Sequence, residues 1–277
     1  MKKFLFLLLI GIRCVDISAQ QVDTVEVLSH SMNAVIKNIV ILPAGYDGKT
    51  DFPVLYLLHG YGGNHTSWMQ IKPGLPGLAT QYGMIIVCPD GKNSWYWDSP
   101  VNPKIKYETY VSAELVHYMD DNYKTRKDGS GRAITGLSMG GHGGLWLGIR
   151  HQDVFGACGA TSGGVDIRPF PGNWEMKDAL GDYDKNRERW DHHTVINQLH
   201  LVKEGLAIIV DCGTEDFFHE VNESLHREML YHHIKHDYIS RPGVHNGAYW
   251  SNSIEYQLLF FSRFFRENAP MPVDITR

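Results

Sequence analysis

Apolar positions along this chain follow two alternating rhythms. Short apolar runs, of the length of buried strands, recur at 53–58, 84–88, 132–137, 156–160 and 206–211, and DYISR at 237–241 fits a further short strand. Between them, apolar residues return every third or fourth position. In 107–122, Val111, Leu115, Tyr118 and Met119 share one helical face; in 247–267, Ile254, Leu258, Phe261 and Phe265 do the same. Helices also fit 66–71, 139–150 and 219–235. Ahead of this region, 22–29 and 34–42 alternate polar and apolar residues, as the two arms of an antiparallel hairpin would. The pattern predicts an α/β fold, a mostly parallel sheet with helices on both faces and an antiparallel N-terminal edge. Residues 161–200 break the rhythm and are rich in Gly, Pro, Trp, Asp and Arg. An insertion there would follow a strand's carboxyl end and could wall a pocket.

The first 19 residues read differently. Lys2 and Lys3 precede an apolar stretch from Phe4 to Ile12 that is too short to span a bilayer, and Ala19 offers a cleavage point before Gln20. This predicts a signal peptide over 1–19, a single domain over 20–277, a secreted or periplasmic location and no stable membrane insertion after cleavage. Arg13 before Cys14 does not suit a lipidation box. Cleavage would remove Lys2, Lys3, Arg13 and Asp16, a net +2, taking the formal charge from −5 to −7. There is no basic stripe, which argues against a nucleic-acid partner. Cys88, Cys158 and Cys212 fall in or beside apolar runs without paired spacing and read as buried thiols rather than a disulfide framework. The sequence leaves the oligomeric state open.

The candidate chemistry starts at Gly136-Leu137-Ser138-Met139-Gly140, between a strand pattern and a helix pattern. G-x-S-x-G in that context is a nucleophile elbow: the serine sits on a turn so sharp that its flanking positions exclude a Cβ. The turn would also put the Met139 N–H at a helix N-terminus, where it could stabilise an oxyanion. In this motif class the acid and then the histidine follow in chain order. After the strand at 206–210 come three acids, Asp211, Glu215 and Asp216. Asp216 is favoured because it lies past Gly213, in a loop free to reach sideways. After the strand at 237–241, His245 stands in a Pro/Gly-flanked loop ahead of the last helix. The second oxyanion donor should follow an earlier strand, and His59-Gly60-Tyr61-Gly62-Gly63 does; Tyr61 is assigned, with Gly62 as alternative and His59 as loop support. With 15 histidines in the chain, most are structural. His142 reads so, and His192, His193, His232, His233 and His236 read as surface residues on helices. No zinc-type spacing appears, so neither metal nor cofactor is expected. Trp95, Tyr96 and Trp97, on a loop at the strands' carboxyl ends, read equally as core anchors or as a surface that stacks on a sugar or acyl ring.

Six stretches together resemble the esterase D-like group, which includes carbohydrate esterase family one and the S-formylglutathione hydrolases. They are LLHGYGGNHTSW, GKNSWYWDSP, YETYVSAEL, ITGLSMGGHGGL, DCGTEDFFHEVNESLH and PGVHNGAYW. The likeness implies an α/β-hydrolase with nucleophile at Ser138, acid at Asp216 and base at His245. Secreted members that look like this act on feruloyl or acetyl esters of plant polysaccharides, so a serine esterase with a carbohydrate ester as substrate is expected. The alternatives are an S-formylglutathione hydrolase-like thioesterase, a sugar acyltransferase, and a non-catalytic binding protein on a hydrolase scaffold. A signal peptide argues against the first, and an intact Ser-Asp-His set argues against the last.

Overall fold

A computed structural model describes residues 20–269. The signal peptide expected over 1–19 lies outside the described residues. Eight strands form one sheet: β1 (Gln21–Ser29), β2 (Ala34–Leu42), β3 (Val54–Leu58), β4 (Ile85–Pro89), β5 (Arg132–Gly136), β6 (Ala157–Thr161), β7 (Ala207–Gly213) and β8 (Asp237–Arg241). Their spatial order is β1-β2-β4-β3-β5-β6-β7-β8. The β1–β2 and β2–β4 pairings are antiparallel, and every pairing from β4 across to β8 is parallel. β3, fully buried at the centre of the order, reads as a continuous apolar run because both of its faces are covered; β5 beside it is as deeply buried although it carries Arg132 and Thr135.

One face carries the helices Ser67–Ile71, Leu75–Tyr82 and Gly247–Glu267. Its core joins Trp68, Leu75 and Ala79 to Ile254, Leu258, Phe261 and Phe265, the stripe expected of the last helix. The other face holds Met139–Arg150, the segment Tyr107–Asn122, much of 161–200 and His219–Tyr231. The helix Leu75–Tyr82 has no counterpart among the sequence-based expectations. Its Pro76 sits in the first turn, where a missing N–H costs nothing, and Gly83 ends it at φ 64°.

The helix expected over 107–122 forms, but Tyr110–Glu114 is wound as a π-helix between α-helical Tyr107–Thr109 and Leu115–Asn122. The Ser112 hydroxyl donates to the Glu108 carbonyl at 2.7 Å, which in an α-helix would accept the Ser112 N–H. That competition widens the turn.

Glu108 itself is buried and accepts from Trp146 Nε1, Arg150 Nε and His151 Nε2, each at 2.9 Å. Burial pushes its carboxyl up, but these donors together outweigh burial and hold it at about 2, below its ordinary 4.5. A carboxylate depressed on folding stabilises the protein above its unfolded pKa and loses that contribution as pH falls through the folded value. Between pH 4.5 and 2, therefore, the wild type should lose melting temperature more steeply than Glu108→Gln. Parallel melting curves across that window would show that Glu108 is not a source of acid sensitivity.

Candidate active site

The strand–turn–helix at 132–150 is built on close backbone approach. Ser138 takes φ 55° and ψ −117°, a conformation that side-chain-bearing residues rarely adopt. A Cβ at Gly136 would meet the carbonyl groups of Gly140 and Leu58, and one at Gly140 would run into Leu58 O and His59 O. With both absent, β5, β3 and the helix start pack backbone to backbone. Hydrogen bonds hold the turn from several sides: Ser138 N–H to Thr161 O at 2.9 Å, His142 N–H to Ser138 O at 3.0 Å, and Leu137 N–H to Leu58 O at 3.2 Å.

Three of the expected site residues meet above this turn. His245 Nε2 lies 2.9 Å from Ser138 Oγ, and His245 Nδ1 lies 2.8 and 3.0 Å from the two carboxyl oxygens of Asp216. Asp216 accepts only, so Nδ1 carries the hydrogen and Nε2 is free to accept from the Ser138 hydroxyl. The Asp216 side chain is fully buried, and the Phe218 N–H also donates to it at 2.8 Å. Asp211 stands elsewhere. It lies inside β7, buried, with Arg241 Nη2 3.2 Å from its carboxylate. Burial raises its pKa.

The two proposed oxyanion N–H groups, of Tyr61 and Met139, have no hydrogen-bond partner among the described residues. Gly62 N–H, the alternative, is taken by Asn93 Oδ1 at 2.9 Å. His59 supports the loop from beneath. Its Nε2 accepts from Gly91 N–H at 2.8 Å, so Nδ1 donates to Gly60 O at 2.7 Å. Such an arrangement can activate a hydroxyl, stabilise a tetrahedral oxyanion and return a proton to a leaving group.

The aromatic run requires a correction. Trp95, Tyr96 and Trp97 are 1%, 0% and 0% exposed and offer no face to a substrate. Positive φ at Trp95 (56°) and Tyr96 (60°) turns the loop inward. The Tyr96 hydroxyl donates to His59 O at 3.1 Å. Trp97 Nε1 donates to His142 Nε2 at 2.8 Å, and His142 Nδ1 donates to Gly164 O at 2.9 Å. Burial pulls the His142 pKa down to about 3, so the ring is neutral and both nitrogens are used. His193 also differs from expectation: it is half-buried and stacks on Trp146 at 5.5 Å. His236 is half-buried too and pairs with His226 at 2.7 Å. Cys88, Cys158 and Cys212 are buried free thiols. Among the described residues, no group of three His, Cys, Asp or Glu side chains is placed to hold a metal ion, and no helix is long and apolar enough to cross a membrane.

Sequence reasoning missed three residues at the rim. Phe217 is 51% exposed, with its ring 4.3 Å from His245, and Trp174 stacks on it at 5.8 Å. Glu175 accepts from Asn93 Nδ2 at 3.3 Å. Position beside Asp216 was the only available signal for Phe217. Trp174 and Glu175 lay in the irregular insertion.

Comparison with known proteins places this geometry among esterases. The family described as putative esterase matches residues 29–261. A Mycobacterium tuberculosis esterase is 33% identical over 134 residues, 47% of this chain. The chain spans only 29% of that relative's length. An acetyl esterase of Caldicellulosiruptor saccharolyticus is 25% identical over 213 residues, 72% of this chain and 79% of its own. A solved ferulic acid esterase superposes with a TM-score of 0.76 at 26% identity, covering 88% of this chain and 99% of its own.

Because Trp97 is a core residue here, Trp97→Ala should cost about 3–5 kcal/mol of stability, the usual toll of deleting a buried aromatic. Urea unfolding measures it. A loss below about 0.5 kcal/mol, the range of surface substitutions, would return Trp97 to the surface.

Proposed function

We propose that this chain, which belongs to the putative esterase family as an esterase D-like α/β-hydrolase, acts on ester bonds as a serine esterase of carbohydrate-linked feruloyl or acetyl esters. The carrying observation is the continuous line from Ser138 Oγ through His245 to Asp216, with hydrogen-bond distances of 2.9 and 2.8 Å. Ser138 Oγ attacks the acyl carbonyl while His245 Nε2 takes its proton. The N–H groups of Tyr61 and Met139 receive the developing oxyanion. His245 then hands the proton to the departing sugar oxygen, and a water, activated by the same nitrogen, releases the acid and restores Ser138. Asp216 fixes the imidazole tautomer and balances the charge that forms on the ring.

The acetyl esterase relative and the ferulic acid esterase neighbour support the ester class. The basic and apolar pattern of residues 1–19 supports export, followed by action of residues 20–277 as one domain outside the cytoplasm.

Ser138→Ala should fold with an unchanged melting temperature and lose roughly 10³-fold or more in kcat on p-nitrophenyl acetate. Activity within tenfold of wild type would remove Ser138 from the reaction. Asp216→Asn should fall by roughly 10³–10⁴-fold, because an amide can hold the wrong tautomer. Asp211→Asn should keep its activity and change mainly the melting temperature. The opposite order in folded variants would identify Asp211 as the acid.

A further inference from the structure

We propose that Phe217 and Trp174 form the platform on which the sugar of the ester stacks, so that they recognise the alcohol half of the substrate rather than the acyl half. The proposal rests on the serine-esterase reading above. That reading expected stacking from Trp95 to Trp97, and all three are buried. The aromatic surface at the mouth is elsewhere. Phe217 is half exposed, and its ring lies 4.3 Å from the His245 imidazole. Trp174 is stacked on it, with an interplanar angle of 21°. Phe218, buried, packs against both, and Phe170 braces Trp174 at 5.5 Å. The pair is therefore a rigid face backed by core.

The backbone is strained to present it. Trp174 and Glu175 take φ 50° and 54° in succession, a conformation unfavourable for side-chain-bearing residues. Glu175 holds Asn93, and Asn93 holds Gly62 of the oxyanion loop. The platform is thus fixed relative to the site of attack.

The chemistry decides which half of the ester meets it. In acylation, the bond from Ser138 Oγ to the acyl carbon forms and the bond from that carbon to the sugar oxygen breaks. The proton taken from Ser138 leaves His245 Nε2 for that oxygen, and the sugar departs as an alcohol. The leaving oxygen must therefore come within hydrogen-bond reach, about 3 Å, of His245 Nε2. Its ring then lies against what lines the imidazole: Phe218 there is buried and Trp250, 4.9 Å away, is half-buried, whereas Phe217 is the 51% exposed ring. The acyl chain, held by its carbonyl at Tyr61 and Met139, points away from the histidine.

The test uses four esters: ethyl acetate, methyl ferulate, an acetylated xylo-oligosaccharide and a feruloylated arabinoxylan oligosaccharide. p-Nitrophenyl esters do not serve, because their own leaving group is an aromatic ring. In Phe217→Ala and Trp174→Ala, kcat/KM should fall about fivefold on both sugar esters and stay within about twofold on both simple alkyl esters, the loss expected of one stacking contact. Phe217→Trp should retain the sugar-ester rate, and melting temperatures check folding. A fall on methyl ferulate without one on the acetylated oligosaccharide would put the acyl ring on the platform and overturn the assignment. Equal losses on all four esters would show that Phe217 merely holds His245, and no change on any would show that the rim is passive. A wild type inactive on all four, or a fully active Ser138→Ala, would defeat the serine-esterase reading and the platform with it.

Discussion

The arrangement depends on one constraint, the approach of the Gly136 and Gly140 backbones to the carbonyl of Leu58. Without that approach the turn at Ser138 could not be tight enough to lift the hydroxyl above the sheet. A backbone held at φ 55° and ψ −117° costs roughly 1–3 kcal/mol and persists only where its surroundings over-determine it. Here they do. β3 supplies Leu58 O, which also accepts from Leu137 N–H and from Trp68 Nε1 at 2.8 Å. β6 supplies Thr161 O, which accepts the Ser138 N–H. Three strands and a helix converge on a single residue, so local relaxation of the turn would have to disrupt the centre of the sheet.

Behind the turn lies a polar-aromatic core centred on His142, whose two ring nitrogens are both used, while Trp95 Nε1 beside it has no partner among the described residues. His142 is one helical turn beyond Ser138, and both of its ring nitrogens have partners, Trp97 and Gly164. Its ring stacks on Trp146, which stacks in turn on His193, while Trp95 and Trp97 meet its edge. A neutral, satisfied imidazole can be buried this way at little cost, whereas one left with an unpaired nitrogen could not. The column joins the elbow helix to the 161–200 insertion. That contact makes the insertion part of the core as well as a wall of the mouth.

The mostly parallel sheet with its antiparallel N-terminal edge, the helical faces of 107–122 and 247–267 and the convergence of Ser138, Asp216 and His245 could be read from the chain because each rests on local periodicity or ordered motifs; the order of the strands could not. The preference for Asp216 over Asp211 came from loop reach, and the structure shows the physical reason. Asp211 lies within a strand, where its carboxylate points into protein toward Arg241. What could not be read depends on long-range contacts. Nothing local distinguishes Tyr61 from Gly62 as a free N–H, since the distinction is made by Asn93, 31 residues further on. Nothing local shows that Trp95 and Tyr96 adopt left-handed backbone and turn inward. The space that receives Tyr96 is supplied by Gly91 and by Gly143, on another element. The π-helical turn at Tyr110–Glu114 is equally silent, because a serine in a helix bonds back to a carbonyl in only some settings.

Phe217 and Phe218 show the same limit at its sharpest, and they show why the mouth is built as it is. Two identical residues stand side by side after Asp216, one half exposed and one buried. Asp216 sets the division. Its carboxylate accepts the Phe218 N–H and its carbonyl accepts the His219 N–H, which starts the helix His219–Tyr231 and commits Phe218 to the core beneath it. Phe217 is left on the outer side of the same turn, against the imidazole that Asp216 orients. The acid that fixes the histidine tautomer thus also fixes the aromatic face beside it. Because both follow from one short turn at the carboxyl end of β7, the position of the imidazole and the shape of the surface next to it are coupled by the backbone itself.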